Sequence, residues 1–585
     1  MIKLPAIFKD HAVFQRDKEF RVWGDTDSND ININIYDEDG AVINKCTVTS
    51  KDGCFIAKMS PVEAGGPFRL EINGTDDAIV LDDVYFGDVW LAGGQSNMEF
   101  KLRDIKDASE EIAESDNDRI RFYNVPQIAW LGAELEQAEV ASEWQPCNSA
   151  IAGDQSAVAY YFAKALTEES EGIMIGIINC SWGGTSASAW MSRDKLLEYK
   201  ETAQYINAYD EAVKDLTGEA YEEAYAEYVI YQAEFDKNVG NYYMTAENPT
   251  WDEAISLFGE NKYPGPMGPK NWTRPCGLYE TMIKRIVPYG LMGCIFYQGE
   301  EDDNRPYSYK RLLTSLIEQW REDFLDKNLP FIVTQLPIFV NEGEDDYKNW
   351  PFIREAQYEV GETVGNGCAV VLEAGEYHNI HPTNKETVGY RLAFQALHKV
   401  YGCLSRWEAC GPEYDSSFTS GDSLYVDLKC CESGLMINGD DDFLTDVHMM
   451  DYLPSDSGFE IAGCDGVYYS AKAQVLRGET VSDDNTGTEA LDNSFGSESD
   501  DEVNDFYDPL YDDEPDQTAS SLGSILTLKL TSESVPEPKY ARYFWKNYGK
   551  VRIFGANGIP LAPFRTDKND GAKANGSRMG DIIDV

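Results

Sequence analysis

The sequence predicts an α/β protein: a parallel sheet with helices on both faces, flanked at its N- and C-terminal ends by β-rich, sandwich-like regions. Three observations predict it. First, short apolar runs (DVWLAG, IMIGIIN, GLMGCIFYQ, LPFIVTQ, GCAVVLEAG) alternate with amphipathic helical stretches, the pattern of buried parallel strands joined by helices. Second, both ends of the chain alternate apolar and polar residues at period two between Gly and Asp turns. Third, 585 residues exceed one ordinary core, so several domains are expected. The expected division is 1–85, 86–405 with an insertion at 200–275, and 406–585 with an interruption at 483–516.

Within 1–85 the runs FRVWG, ININIYDEDG, FRLEIN and DAIVLDDVYFG read as strands. DVWLAG follows as a buried strand, and QSNMEFKLRDIKDASEEIAES reads as one helix. DQSAVAYYFAKALTEES reads as a second helix, with Asp154 as its cap and Val158, Phe162 and Leu166 along one face. IMIGIIN runs into the glycine loop CSWGGTSASAW. The insertion is tyrosine-rich and reads as a packed helical hairpin. The α/β pattern resumes near 276 and ends with the loop EYHNIHPTNK and the helix ETVGYRLAFQALHKVYG. Beyond 405 the pattern is β again. The interruption at 483–516 holds 14 acidic residues and no basic one, so it is expected to be a solvated loop without chemistry.

Composition excludes several roles. A formal net charge of −54 opposes nucleic-acid binding, which needs Lys and Arg to displace counterions, and opposes anionic membranes. No run approaches the roughly 18 apolar residues of a membrane span. The first residues, MIKLPAIFKDHAVFQRDKEF, show no apolar signal-peptide core, so a cytoplasmic location is expected. The 12 cysteines include no CxxC pair and are expected to be reduced thiols. The 35 tyrosines and 12 tryptophans supply surface that can line grooves for sugars as well as cores. The sequence carries no signal for an oligomeric state.

The candidate chemistry centres on Ser96, in FGDVWLAGGQSNMEF. It follows two glycines at the end of a buried strand, where open α/β sheets bind ligands. A serine nucleophile needs a general base. Of five histidines, His398 lies on a helix, and His11 and His448 lie in the β-rich ends. His378 and His381 fall in a loop after the last α/β strand, at the same sheet edge as Ser96. Their HxxH spacing has no third metal ligand nearby, so no metal is expected.

GDVWLAGGQSNME, INCSWGGTSASAWMS, YQGEED with YKRLLTSLIEQWR, and NIHPTNKETVGYRLA together resemble the sialate O-acetylesterase family of SGNH-type carbohydrate esterases. The likeness covers nearly the whole chain, including LPAIFKDHAVFQRDKEFRVWG and PLAPFRTD at its ends. It implies an SGNH-hydrolase-like sheet and hydrolysis of acetyl esters on sugars without a metal, so no cofactor is expected and the expected partner is an acetylated carbohydrate substrate. It also implies Ser96 as nucleophile, His381 as general base, and the Ser96 N–H, Gly183, Gly184 and Gln298 as oxyanion donors. Gln95, Glu300 and Asn379 are expected to contact substrate. The family often carries Asp where this chain has Asn379, and Gly-Glu-Ser-Asn where it has Gly299-Glu300-Glu301-Asp302. Glu376 is the expected substitute for the missing acid. Two other readings remain: an esterase for acetylated xylan or another plant polysaccharide, and a non-catalytic glycan-binding relative.

Overall fold

The computed structural model describes residues 1–170, 172–246, 250–341, 346, 349–431, 434–438, 444–446, 451–476 and 526–567. The acidic run 483–516 and His448 lie outside the described residues.

The N-terminal strands are β1 (Val13–Gln15), β2 (Phe20–Asp25), β3 (Asp30–Tyr36), β4 (Val42–Thr49), β5 (Cys54–Met59) and β6 (Gly65–Asn73). β3 pairs with β4 and β6, and β2 pairs with β5, all antiparallel. Their inward residues alternate as the period-two reading requires: Ile31, Ile33 and Ile35 are fully buried while the residues between face outward. The expected boundary at 85 is not a break. Strand β7 (Ala78–Gly94) runs straight through it. Its first half pairs antiparallel with β6, and its second half is a central strand of the α/β sheet.

That sheet continues with β8 (Asn117–Asn124), β9 (Trp144–Cys147), β10 (Ile175–Ser181), β11 (Gly293–Tyr297), β12 (Phe331–Thr334) and β13 (Cys368–Ala369), in the order β13-β12-β11-β7-β10-β8-β9. All of its pairs are parallel except the edge pair of β8 and β9. Both faces are covered by helices. On one, Trp90 meets Phe162 of the helix Ala157–Glu169 with ring centroids 5.0 Å apart. On the other, Gly93 sits against Trp320 of the helix Pro306–Asp323, with 3.2 Å available to any added Cβ. Burial on both sides explains why these strands read as continuous apolar runs. The insertion forms the helices Lys200–Val213, Gly218–Thr245 and Trp251–Phe258.

Two local expectations change. The stretch after Ser96 is not one helix but a turn at Ser96–Glu99, a 3-10 turn at Leu102–Asp104 and a short helix at Ala108–Ala113. Backbone groups there are taken from outside: Phe100 O accepts from Ala157 N at 2.8 Å and Leu102 N donates to Gln155 O at 3.0 Å. The next helix is capped by Ser156, whose hydroxyl accepts from Ala159 N at 3.1 Å, rather than by Asp154.

The chain divides into two compact units. One comprises residues 1–410, 542–551 and 562–585, and the other residues 411–541 and 552–561. The C-terminal block is therefore not one domain. The second unit is β-rich, with an antiparallel sheet of Glu413–Ser420, Ser423–Lys429, Leu526–Thr531 and Lys472–Leu476 that buries Leu424, Val426, Leu428, Leu528 and Leu530. In the first unit, the fully buried Arg354 guanidinium donates to Leu336 O and Pro337 O and also to Lys546 O and Asn547 O, so two carbonyls of the late segment tie it in. Among the described residues no helix is long and apolar enough to cross a membrane.

The helix Lys385–Lys399 packs on the helix Ala157–Glu169 at Gly389, where an added Cβ would stand 2.5 Å from Tyr161 Cβ and 2.8 Å from Val158 O. Because a backbone oxygen cannot swing aside, Gly389→Ala is expected to cost about 1–3 kcal/mol, the usual range for overpacking. Denaturant unfolding measures this, and an unchanged midpoint would show that the helices separate freely.

Candidate active site

Strand β7 ends at Gly94, whose φ of +142° and closeness to Tyr297 O (2.1 Å from a hypothetical Cβ) leave room for glycine alone. Gln95 then starts a single helical turn, so Ser96 projects from the carboxyl end of a central strand. His381 arrives from 285 residues away, in the loop before the helix Lys385–Lys399. Its Nε2 lies 2.8 Å from Ser96 Oγ. The structure thus brings together the expected serine and histidine at the separation of a nucleophile and its base. Burial and the charge of Lys385 lower the His381 pKa, while Glu99 raises it.

The structure corrects the role expected of Glu376. Its Oε1 accepts from Thr383 N at 2.6 Å and Thr383 Oγ1 at 2.8 Å, and its Oε2 accepts from Asn379 Nδ2 at 2.7 Å. Burial pushes its pKa up, but these donors hold the carboxyl below its usual value. Glu376 therefore braces the loop and does not touch the imidazole. Asn379 accepts from His381 N at 3.1 Å, so its two ends are committed inside the loop rather than to substrate. Among the described residues no group hydrogen-bonds His381 Nδ1.

A second network lies beneath the pair. Asn97 Nδ2 donates to Glu300 Oε1 at 2.5 Å and to Ile380 O at 2.9 Å, while its Oδ1 accepts from Lys385 Nζ at 2.5 Å. Asn97 follows the serine and Ile380 precedes the histidine, so one amide ties the two loops together. Lys385 is fully buried, and its pKa falls to about 7 through burial, opposed by Glu300 and Glu376. Burial raises the Glu300 pKa, and its Oε2 has no partner among the described residues. Glu300 is thus an internal partner of Asn97 rather than a substrate contact. Gln95 is buried too. Its Oε1 accepts from Gly299 N and Glu301 N, both at 3.3 Å, and so shapes the neighbouring loop.

The glycine loop closes the other side. A side chain at Gly183 would stand 3.2 Å from Ser96 Cβ. Gly183 N donates to Glu99 Oε2 at 2.6 Å, so a carboxylate fills this donor. The Ser96 and Gly184 N–H groups meet no acceptor among the described residues. Trp272 Nε1 donates to Gly183 O at 3.0 Å, and its ring stacks on Trp182 (5.8 Å, 8°) and meets Tyr263 edge-on (4.9 Å). The chain after the insertion's helices thus reaches the site. Gln298 does not serve as expected. It is fully buried, and its Nε2 donates to Asp302 Oδ2 at 2.7 Å and Thr185 O at 3.2 Å, which leaves no N–H for an oxyanion. Sequence reasoning missed Asn97, Glu99 and Lys385, although all three stand inside the quoted motifs. Only Glu99 had a signal in the spacing: it lies three residues after Ser96 on one turn.

A hydroxyl held on an imidazole at the carboxyl ends of parallel strands is the arrangement of a hydrolytic α/β enzyme. The family profile described as "Carbohydrate esterase, sialic acid-specific acetylesterase" matches residues 86–246 and 265–397, just over half of the chain. The sialate O-acetylesterase of Mus musculus is 27% identical over 412 residues, covering 65% of this chain and 70% of that protein. That of Rattus norvegicus is 26% identical over 459 residues, covering 70% and 78%. The crystal structure of a carbohydrate acetylesterase from Xanthomonas citri superposes with a TM-score of 0.67 at 26% identity, over 97% of this chain and 100% of that one. The chain belongs to the sialic acid-specific acetylesterase family of carbohydrate esterases.

Two predictions follow from the charges here. The acid limb of kcat/KM reports the free-enzyme base. Removing a positive neighbour raises the pKa of His381, and removing a negative one lowers it. Lys385→Met should therefore move the limb to higher pH and Glu99→Gln to lower pH. Shifts in one common direction would refute this placement of the two charges. The Asn379–Glu376 bond gives the second. Asn379→Asp sets two carboxylates against each other and should lower kcat/KM at least about tenfold. Adding Glu376→Gln restores a donor and should recover most of that loss. An Asn379→Asp variant faster than wild type would show instead that the loop accepts an acid.

Proposed function

We propose that this chain hydrolyses O-acetyl esters of sugars through Ser96 and His381. The observation that carries the reading is the 2.8 Å contact between His381 Nε2 and Ser96 Oγ. As Ser96 Oγ attacks the acetyl carbonyl carbon, its proton passes to Nε2 and the carbonyl π electrons move to oxygen. The tetrahedral oxyanion is received by the Ser96 N–H and by the Gly183–Gly184 loop, with the oxyanion displacing Glu99 from Gly183. Collapse expels the sugar alkoxide, which takes the proton from the imidazolium. Water, deprotonated by His381, then cleaves the acetyl-serine and releases acetate. Each well-placed donor is worth roughly 3–4 kcal/mol at the transition state. The acid-less imidazole is consistent with a Ser–His pair supported by the field of Glu99 rather than by a carboxylate on Nδ1.

The SGNH-like character of the sheet and the sandwich-like form of its flanking strands belong to this same reading. Support comes from the parallel order about β7 and from the antiparallel strands at either end.

Ser96→Ala should abolish acetate release, with a loss on the order of 10⁶ in kcat, while leaving thermal unfolding nearly unchanged. Glu376→Gln should keep kcat within about tenfold, since an orienting acid would cost roughly 10⁴. Acetate release from a p-nitrophenyl or sugar acetate is the readout. A tenth of wild-type activity in Ser96→Ala would overturn the nucleophile.

A further inference from the structure

The tyrosine-rich insertion takes no part in the chemistry above, yet a row of aromatic rings runs from the nucleophile onto it. The row starts at Gly183, where an added Cβ would stand 3.2 Å from Ser96 Cβ and whose carbonyl accepts from Trp272 Nε1 at 3.0 Å. The Trp272 ring stacks on Trp182 and meets Tyr263 edge-on, with centroids 4.9 Å apart. Tyr263 is 51% exposed, and its hydroxyl lies 3.6 Å from the position of a Cβ on Gly184. Two residues along the return loop, Gly265 lies against the Tyr228 ring. From there the row follows the helix Gly218–Thr245, Tyr228 to Tyr225 at 6.0 Å, and crosses to Trp130 at 6.2 Å. Trp130 is three residues beyond Gln127, whose Nε2 donates to Glu99 Oε1 at 3.0 Å. Both ends of the row are thus fixed to the site.

Packing explains only part of it. Tyr221, one turn before Tyr225, is buried, and its hydroxyl accepts from Lys270 N at 2.9 Å. It is a ring that holds the return loop. Tyr225, Tyr228 and Trp130 are only partly buried. Among the described residues the hydroxyls of Tyr225 and Tyr228 have no hydrogen-bond partner. Lys270 Nζ, paired with Glu222 at 2.6 Å, stands 4.9 Å from the Tyr225 centroid and 5.7 Å from that of Trp130, which steadies these two rings. A pyranose presents C–H groups from its faces and hydroxyls from its edge. A tyrosine or tryptophan ring covers the first, and its O–H or N–H meets the second. One sugar occupies about one ring face, and Tyr263 at the mouth suffices for the sugar that bears the ester. The rings beyond it have surface for that sugar's neighbours.

We propose that this row is a platform for the adjoining sugars of a glycan chain, so that the enzyme takes acetyl esters carried on oligosaccharides in preference to the same esters on free sugars. This rests on the reading above and adds chain length to it. Tyr225 and Trp130 are binding residues for the chain and stay outside the chemical steps.

The test compares wild type, Tyr225→Ala, Tyr225→Phe and Trp130→Ala on two pairs of esters. One pair is O-acetylated sialic acid as the free sugar and as the terminal residue of a trisaccharide. The other is O-acetylated xylose and O-acetylated xylotetraose. Acetate release is read from all four, and the quantity compared is the ratio of kcat/KM for the chain to that for the free sugar. In wild type the ratio should be at least about tenfold in one pair or both, since binding remote from the ester is used in its transition state. Tyr225→Ala and Trp130→Ala should each lower that ratio at least about fivefold and leave the free sugar within about twofold, with Tyr225→Phe between wild type and alanine. A wild-type ratio near one in both pairs, a ratio that both alanine variants leave intact, or an equal loss on chain and free sugar in both would each overturn the platform. Release of no acetate from any of the four esters, or release that survives Ser96→Ala, would instead overturn the parent reading.

Discussion

The site depends on where one strand stops. β7 crosses from the antiparallel N-terminal strands into the centre of the parallel sheet and ends at Gly94 against Tyr297 O. Gln95 N donates to that carbonyl at 3.1 Å, and Trp182 N donates to Gly94 O at 3.1 Å. Both neighbours of β7 thus grip its last residues, and Ser96 is the first residue free to turn outward. The glycine loop after β10 and the Gln298–Asp302 segment after β11 are placed by the same two strands. A serine on a mobile loop would need ordering before it could meet His381. Here the sheet has already supplied that order.

His381 is placed by its loop rather than by an acid on its imidazole. His381 is held through its backbone by Asn379 and through Ile380 O by Asn97. The amide at 379 has a physical reason in this chain. Glu376 presents Oε2 to that position, and an amide can donate to it where a carboxylate would repel it. Asn379 and Glu376 therefore form a matched pair, and each makes the other's identity intelligible.

Beneath the site, Glu300 and Lys385 are buried at opposite sides of one amide. Desolvation pushes the two pKa values toward each other, Glu300 up and Lys385 down to about 7. Such burial is costly for a charged pair and is concentrated where function requires shaped electrostatics. The charge on Lys385 also lowers the His381 pKa and so favours the neutral imidazole that can accept a proton. The aromatic residues Trp182, Trp272 and Tyr263 give the rim an apolar wall on the side where the insertion enters.

The sequence by itself determined the α/β core, the strand that carries Ser96 and the pairing of Ser96 with His381. Apolar runs at period one and helices at period 3.6 survive any packing detail, and few histidines lay at the right sheet edge. The tertiary structure decided what sequence proximity could not. Glu376 lies five residues from His381 yet spends both oxygens on Thr383 and Asn379. Gln298 stands in a motif at the strand end yet points into the core toward Asp302. Asn97 and Lys385, 288 residues apart, meet in one hydrogen bond. Spacing along a chain tells which element a side chain rides on, whereas hydrogen-bond geometry depends on which face that element turns to its neighbours. Only the packed sheet and its helices settle that orientation.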